Sequence, residues 1–119
     1  VAGVAGTFAG SYTADPVELA AHGVLGEHNG GLQLMARLIR YLEDRRREEG
    51  RYTGAIETHP SPLHVIWGKL DPVADVEMSD RLLSKRPDAS LVMLDSVGHY
   101  PMIEAPERFA SEVLKALAG

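Results

Sequence analysis

Residues 63–72 read LHVIWGKLDP and give the clearest indication of the fold. Its first five residues form a mostly apolar run with a β-branched centre, which is typical of a strand buried in a parallel sheet. Asp71 and Pro72 then turn the chain, and apolar residues at helical spacing follow as far as Arg86. The pattern predicts a strand, a turn that carries an acidic side chain, and a helix.

The same order of elements returns before the end of the chain. Residues 90–95 read SLVMLD and predict a second strand, residues 98–101 read GHYP, and residues 104–107 open a helix whose apolar face extends to Leu117. Strand, helix, strand, helix is the α/β pattern, in which the strands are parallel. Because two strands with both faces uncovered do not make a stable sheet in water, we expect this half to need more strands than the sequence provides.

Asp71 and His99 are the candidate catalytic pair. Asp71 lies four residues after Trp67, and His99 lies four residues after Asp95. Reactive groups gather beyond the carboxyl ends of the strands in open α/β sheets, so we expect both side chains in one crevice. A buried carboxylate holds a general-base histidine in one tautomer and stabilises its imidazolium. The histidine can then activate a serine hydroxyl, or a water molecule that attacks a covalent ester.

Two motifs surround this pair: W-G-x-x-D-P-V at residues 67–73, and D-x-x-G-H-Y-P-x-x-E-x-P-E-x-F at residues 95–109. Together they resemble the C-terminal part of the α/β-hydrolase fold. Similar segments occur in epoxide hydrolases, haloalkane dehalogenases and related esterases. The resemblance implies that Asp71 is the acid and His99 the base of a hydrolytic triad, and that the reaction passes through a covalent ester intermediate.

The nucleophile of such a triad has no counterpart in the sequence. In the family it precedes the acid and lies on a Gly-x-Ser-x-Gly or Gly-x-Asp-x-Gly elbow, and neither pattern occurs in the 119 residues. The nearest stretch, AGSYT at residues 9–13, lacks the glycine frame and a preceding apolar strand, so Ser11 is not expected to be the nucleophile. The chain begins with Val1 rather than Met. We interpret it as the last half of a hydrolase, inactive alone, whose partner is an N-terminal half with a Ser or Asp nucleophile.

Residues 1–58 are interpreted as a helical cap-like segment, and residues 59–119 as the C-terminal strands and helices of the core. A short helix is predicted over residues 15–23. Residues 32–49 predict a longer helix with a wide apolar arc, which Gly50 ends. The resemblance implies that the cap-like segment is the tail of the cap domain that these enzymes insert before the acid-bearing strand.

Three side chains are candidates for substrate binding: Leu38 and Met102 as the wall of a pocket, and Tyr41 as a cap residue that activates an epoxide or binds a leaving group. Packing in a core explains each of them as well, since apolar side chains at helical spacing are most often buried against a neighbouring element. If they line a pocket, the substrate is expected to be small and fairly apolar.

Composition excludes several other classes of function. The 12 basic and 17 acidic residues give a net charge of −5, which argues against nucleic acid or an anionic membrane as a partner. The absence of cysteine excludes disulfides and thiolate catalysis. The five histidines show no H-x-x-x-H spacing, so neither a metal nor another cofactor is expected. With no apolar run near the ~20 residues of a membrane span, we expect a cytoplasmic protein.

The alternative to an enzyme fragment is a non-catalytic interaction module, or a degenerate hydrolase half, that folds by docking an open strand edge on another chain. A glycine-framed Ser or Asp elbow, found in upstream coding sequence or in a companion polypeptide, favours the enzyme. The absence of any such elbow favours the interaction module.

Overall fold

The computed structural model describes residues 2–118, which contain eight α-helices and two β-strands. In chain order these are α1 (Ala2–Ala5), α2 (Pro16–Glu27), α3 (Gly31–Leu38), α4 (Tyr41–Arg47), α5 (Glu49–Thr58), β1 (His64–Gly68), α6 (Val76–Lys85), β2 (Ser90–Leu94), α7 (Pro101–Glu104) and α8 (Pro106–Ala118). A 3₁₀ turn over His28–Gly30 joins α2 to α3. The chain divides into a helical unit, residues 16–60, and a sheet unit, which combines residues 2–15 with residues 61–118.

β1 and β2 form a two-stranded parallel sheet, as the sequence predicts. The register pairs His64 with Ser90 at one end and Gly68 with Leu94 at the other. α6 connects the two strands, because a parallel pair needs a crossover between the end of one strand and the start of the next. Both strands therefore end at the same edge, where the loops that carry the candidate acid and histidine begin.

The crossover helix α6 is fixed at both ends. Asp75 is its N-cap, and the Asp75 carboxylate accepts a hydrogen bond from the Glu77 N–H at 3.1 Å. At the other end, the buried Arg86 guanidinium donates to both carboxylate oxygens of Asp88, from Nε at 2.9 Å and from Nη2 at 2.8 Å. Arg86 Nη2 also donates to the Ser61 carbonyl at 3.0 Å. Arg86 thus ties the segment before β1 to the turn before β2, and this fixes the start of both strands.

The core of the sheet unit draws on both of its segments. Its buried apolar residues are Phe8, Ala9, Val65, Leu94 and Val97. The division expected from the sequence assigns residues 2–15 to the cap-like segment, whereas the structure groups them with residues 61–118. The physical reason is burial, because Phe8 and Ala9 are only 7% and 2% exposed.

The long helix expected over residues 32–49 is divided in the structure. A tight turn separates α3 from α4, in which the Leu42 N–H donates to the Ile39 carbonyl at 3.1 Å and the Glu43 N–H donates to the Arg40 carbonyl at 2.9 Å. These bonds join residues three apart rather than four apart, which is the spacing of a 3₁₀ turn. The prediction of one continuous helix is therefore wrong.

A second break lies between α4 and α5, at Glu48, whose φ and ψ angles are −106° and 18°. Gly50, which the sequence suggests as the end of the helix, lies inside α5. A glycine in a helix interior costs only about 1 kcal/mol relative to alanine, so it does not by itself end a helix. The first predicted helix is also longer than expected, since α2 continues beyond Gly23 to Glu27.

No residue of the helical unit is buried. Its exposed large apolar side chains are Val17, Val24, Leu25, Leu32, Leu34, Met35, Leu38, Ile39, Tyr41, Leu42, Tyr52 and Ile56. The apolar arc predicted for residues 32–49 is therefore uncovered within this unit. Despite these side chains, none of the helices within residues 2–118 has the combination of length and hydrophobicity that crossing a membrane requires.

Candidate active site

Asp71 lies in the turn that follows β1, with its side chain only 7% exposed. Its Oδ1 accepts hydrogen bonds from the N–H groups of Val73 at 2.8 Å and Ala74 at 2.9 Å. The Trp67 indole Nε1–H donates to the Ala74 carbonyl at 3.0 Å, which holds this turn against the end of β1. The carboxylate is therefore oriented by its own loop, and Oδ2 is left to accept a bond from another part of the chain.

His99 lies at that second oxygen. Its Nδ1 is 2.9 Å from Asp71 Oδ2. Because an ionised carboxylate only accepts hydrogen bonds, the proton of a neutral imidazole lies on Nδ1. Nε2 then carries a lone pair, and it makes no hydrogen bond with any residue between positions 2 and 118. The structure thus brings the two predicted residues together as a hydrogen-bonded acid and base, with the His99 side chain 32% exposed.

The pKa of Asp71 lies below the ordinary value of an aspartate. Burial raises this pKa, but the hydrogen bonds from Ala74, His99 and Val73, together with the charge interaction with His99, outweigh the effect of burial and lower it. The carboxylate consequently stays ionised at neutral pH. An ionised Asp71 is the state that holds the imidazole proton on Nδ1 and stabilises a positive charge on the ring.

The acid loop and the histidine loop touch through their backbones. The Leu70 N–H donates to the Val97 carbonyl at 2.9 Å. Gly68 permits this approach, because a Cβ built there would lie 2.6 Å from the Val97 carbonyl oxygen and closer still to that of Gly98. The glycine that ends β1 is therefore part of the site, since a side chain would push the two loops apart.

A segment far away in the sequence also holds the histidine loop, and we call its residues 7–12 the strap. The Thr7 carbonyl accepts a hydrogen bond from the His99 N–H at 3.1 Å. The Phe8 ring packs on Tyr100 with a centroid distance of 5.5 Å. The Gly- and Ala-rich start of the chain carries no sequence pattern that predicts this role, because the contacts are made largely by backbone atoms.

Glu104 joins the strap to the histidine loop. Glu104 is the last residue of α7, a short helix that the sequence does not predict. Its Oε2 accepts hydrogen bonds from the N–H groups of Gly98 at 2.7 Å and Ala9 at 3.0 Å, and its Oε1 accepts one from the Tyr100 N–H at 3.1 Å. The expectation that Glu104 opens the last helix is wrong, because α8 begins two residues later, at Pro106.

The predicted pocket residues fall in different parts of the chain. Met102 is half exposed in α7, three residues after His99. Leu38 and Tyr41 belong to the helical unit, where they are 60% and 54% exposed, and Leu38 lines an open groove of that unit. Their part in a substrate pocket stays a prediction. Among residues 2–118, no group of three or more His, Asp or Glu side chains is placed to hold a metal ion.

Comparison with protein families gives the chain its assignment. A sequence model described as the alpha/beta hydrolase family matches residues 4–112. The chain belongs to the α/β-hydrolase family. The fold class predicted from the sequence, the C-terminal portion of an α/β-hydrolase fold with two parallel strands and flanking helices, is thereby confirmed.

Curated relatives agree with this α/β-hydrolase assignment. The Mycobacterium tuberculosis protein named Putative hydrolase LipZ is 40% identical over 90 residues, which cover 76% of this chain and 31% of that protein. The Homo sapiens Mesoderm-specific transcript homolog protein is 32% identical over 84 residues, or 69% of this chain and 25% of its own length. A Pseudomonas 2-hydroxy-6-oxononadienedioate/2-hydroxy-6-oxononatrienedioate hydrolase is 30% identical over 96 residues, or 76% of this chain and 34% of its own length. The chain thus spans a quarter to a third of the length of these relatives.

The order of the site residues agrees with this α/β-hydrolase assignment. The triad residues of this fold follow one another in the order nucleophile, acid, histidine. In this chain Asp71 follows β1 and His99 follows β2, so the pair stands in the order of the last two members.

Proposed function

We propose that this chain provides the acid and the base of a hydrolytic triad, Asp71 and His99, to a Ser or Asp nucleophile that lies outside residues 1–119. The observation that carries the proposal is the 2.9 Å hydrogen bond between His99 Nδ1 and Asp71 Oδ2. Two further facts support a nucleophile from elsewhere. The sequence has no glycine-framed Ser or Asp, and the chain spans only a quarter to a third of its relatives.

With a serine nucleophile, His99 Nε2 takes the hydroxyl proton while the serine oxygen attacks the carbonyl carbon of the substrate. The imidazolium then gives this proton to the leaving group, and the acyl group remains on the serine as an ester. Water attacks the ester in the second half of the cycle, in which Nε2 takes a proton from the water and returns it to the serine oxygen. Asp71 stays ionised throughout and stabilises the imidazolium.

With an aspartate nucleophile, the carboxylate attacks a carbon atom of the substrate and either displaces a halide ion or opens an epoxide, whose ring oxygen takes up a proton from solvent. The product of this step is an ester between the nucleophile and the substrate. His99 Nε2 then takes a proton from the water molecule that attacks the ester carbonyl, and the remaining hydroxyl proton goes to the departing alkoxide, which releases an alcohol and restores the carboxylate. The imidazolium gives its proton to solvent, which restores the base. This is the chemistry that the resemblance to epoxide hydrolases and haloalkane dehalogenases implies.

The proposed substrate is small and fairly apolar. Leu38, Tyr41 and Met102 are proposed to wall its pocket, since each is at least half exposed. Residues 16–60 are proposed as part of a helical cap, because their exposed apolar side chains need a covering surface. A cytoplasmic location also belongs to the proposal, and the absence of cysteine agrees with a reducing compartment.

The test uses the product of the open reading frame that contains residues 1–119, assayed with p-nitrophenyl esters, an epoxide and a haloalkane. We expect His99→Ala to lower kcat about a thousandfold or more, because loss of the base removes most of the catalysis by a triad. His64→Ala is the matched control, since His64 begins β1 and its Nδ1 lies 2.7 Å from Ser90 Oγ, at the opposite end of the sheet. If His99→Ala keeps more than about 1% of kcat, the assignment fails.

A single turnover in heavy-oxygen water identifies the nucleophile. An aspartate nucleophile incorporates the label into its own carboxylate, because water attacks the ester carbonyl that belongs to the enzyme. A serine nucleophile incorporates none, because the attacked carbonyl belongs to the substrate. Mass spectrometry of the digested protein distinguishes the two outcomes.

A non-catalytic docking module is the second candidate. It is favoured by the observation that no residue of the helical unit is buried. Such a module needs a partner that covers these apolar side chains and the free strand edges. This second function replaces the first if neither the reading frame nor a co-purifying chain supplies a glycine-framed Ser or Asp and no ester, epoxide or haloalkane is hydrolysed.

A further inference from the structure

We propose that Glu104 positions His99 by fixing the backbone on both sides of it, a role that rests on the proposed function of His99. The N–H groups before, at and after the histidine are all bonded. Those of Gly98 and Tyr100 donate to the Glu104 carboxylate at 2.7 and 3.1 Å, and that of His99 donates to the Thr7 carbonyl at 3.1 Å. The two peptide units that join His99 to the chain are therefore held from outside the loop.

The same carboxylate also anchors the strap. Oε2 of Glu104 accepts a second bond, at 3.0 Å, from the N–H of Ala9, which lies 95 residues earlier in the sequence. A Cβ at Gly98 would lie 2.8 Å from the Phe8 carbonyl carbon and 3.0 Å from Glu104 Oε1. The missing side chain at Gly98 is thus what lets the carboxylate and the strap reach the histidine loop, and it is an observation independent of the hydrogen bonds.

An ionised carboxylate suits this position, and an amide does not. Three N–H donors converge on two oxygens, and hydrogen bonds to a charged acceptor are roughly twice as strong as those between neutral groups. A glutamine has one acceptor oxygen, so its NH₂ group faces either the Tyr100 N–H or the N–H groups of Gly98 and Ala9. The substitution Glu104→Gln therefore removes at least one bond and sets two donors against each other, while the size of the side chain is unchanged.

The expected consequence lies in the rate, because His99 Nε2 has to meet a nucleophile that another part of the protein supplies. Catalytic groups need to be held within about 0.5 Å of the productive geometry, and a misplacement of about 1 Å costs on the order of 100-fold in rate. Glu104 makes no hydrogen bond to the His99 ring or to Asp71 within residues 2–118. It is therefore a positioning residue, and its loss is expected to lower kcat and leave KM nearly unchanged.

The experiment compares Glu104→Gln, Glu104→Asp and Glu107→Gln in the product of the full reading frame. Glu107→Gln is the matched control, since Glu107 is exposed in the first turn of α8 and loses the same charge three residues away. We expect Glu104→Gln to lower kcat about 10- to 100-fold with KM within about twofold of wild type. Glu104→Asp keeps the charge and is expected to restore part of kcat, and Glu107→Gln is expected to match wild type.

NMR gives a readout that does not depend on turnover. In Glu104→Gln we expect the His99 Nδ1 proton resonance to broaden and the amides of Gly98 and Tyr100 to exchange faster with solvent, whereas Glu107→Gln changes neither. These signals report on Glu104 even where the protein hydrolyses nothing, so failure of this inference is distinguishable from failure of the proposed function.

The inference is overturned if folded Glu104→Gln has wild-type kcat, or if its histidine resonance and amide exchange are those of wild type. If Glu104→Gln does not fold, Glu104→Asp carries the test. In that case a reduced kcat with a broadened His99 resonance supports the inference, and wild-type values of both overturn it.

Discussion

Replacing Asp71 by asparagine tests the geometry of the pair directly. Two backbone donors, the N–H groups of Val73 and Ala74, point at Oδ1 from 2.8 and 2.9 Å. The amide oxygen of an asparagine takes this place, because the NH₂ group cannot accept hydrogen bonds. The NH₂ group then occupies the position of Oδ2 and faces His99 Nδ1, which was the donor of the 2.9 Å bond.

The structure thereby dictates which tautomer the variant adopts. His99 Nδ1 has to accept a hydrogen bond from the new NH₂ group, so the proton of the neutral ring moves to Nε2. A protonated Nε2 cannot take a proton from a nucleophile or from water. In a triad this loss amounts to about 10⁴-fold in kcat, or about 5.5 kcal/mol at about 1.36 kcal/mol for each factor of ten. The loss of the charge-assisted hydrogen bond is expected to cost about 1–3 kcal/mol of stability in addition.

The assay measures kcat of Asp71→Asn in the product of the full reading frame, with nitrogen NMR of the His99 ring to assign its tautomer. Asp75→Asn is the control, because Asp75 carries the same side chain four residues later and caps α6 instead of contacting a histidine. Asparagine is as good an N-cap as aspartate, so we expect this control to keep its activity and its fold. The reasoning is refuted if Asp71→Asn retains more than about 1% of kcat, or if the proton stays on Nδ1.

Two further predictions concern stability. Gly98→Ala is expected to destabilise the protein by about 1–3 kcal/mol and to lower kcat, since the new Cβ would lie 2.8 Å from the Phe8 carbonyl carbon. Gly10→Ala is the control, because a Cβ at Gly10 meets nothing within 4 Å. Equal urea midpoints for the two variants would contradict this prediction. The lowered pKa of Asp71 makes its contribution to stability complete above the ordinary aspartate pKa of about 3.9, and this contribution is lost as the pH falls through the lowered value. The urea midpoint of wild type should therefore approach that of Asp71→Asn in acid, and a constant difference between the two would count against the assigned hydrogen bonds.

The elements that carry the pair were predictable because their signals are local. The β-branched run before residue 68 predicts β1 without reference to the rest of the chain, and the Asp71–Pro72 turn with the apolar spacing after it predicts α6. The register of a parallel pair then places both strand ends at one edge. An acid and a histidine just beyond these ends have to lie near each other. The spacing alone was therefore sufficient to predict that Asp71 and His99 are neighbours.

The helix breaks in the helical unit were not predictable from the same kind of signal. The apolar spacing of residues 32–49 continues through the turn at Ile39 and Arg40, and neither position holds a glycine or a proline. The glycine that follows this stretch, Gly50, lies inside α5 instead of ending α4. Periodicity shows which side chains share a face, but it does not show whether the backbone bonds join residues three or four apart.

The strap was missed for a different reason, which bears on how the site is held. Thr7 contributes a carbonyl oxygen and Ala9 contributes an N–H group, and nearly every residue type has both, so their identities say nothing about the contacts. The hydrogen bonds themselves depend on residue type at Gly98, where a Cβ does not fit, and at Glu104, whose carboxylate accepts them. These backbone bonds do not depend on the residue types at positions 7 and 9. The position of the histidine is therefore specified by a glycine in its own loop and by a carboxylate at the end of α7.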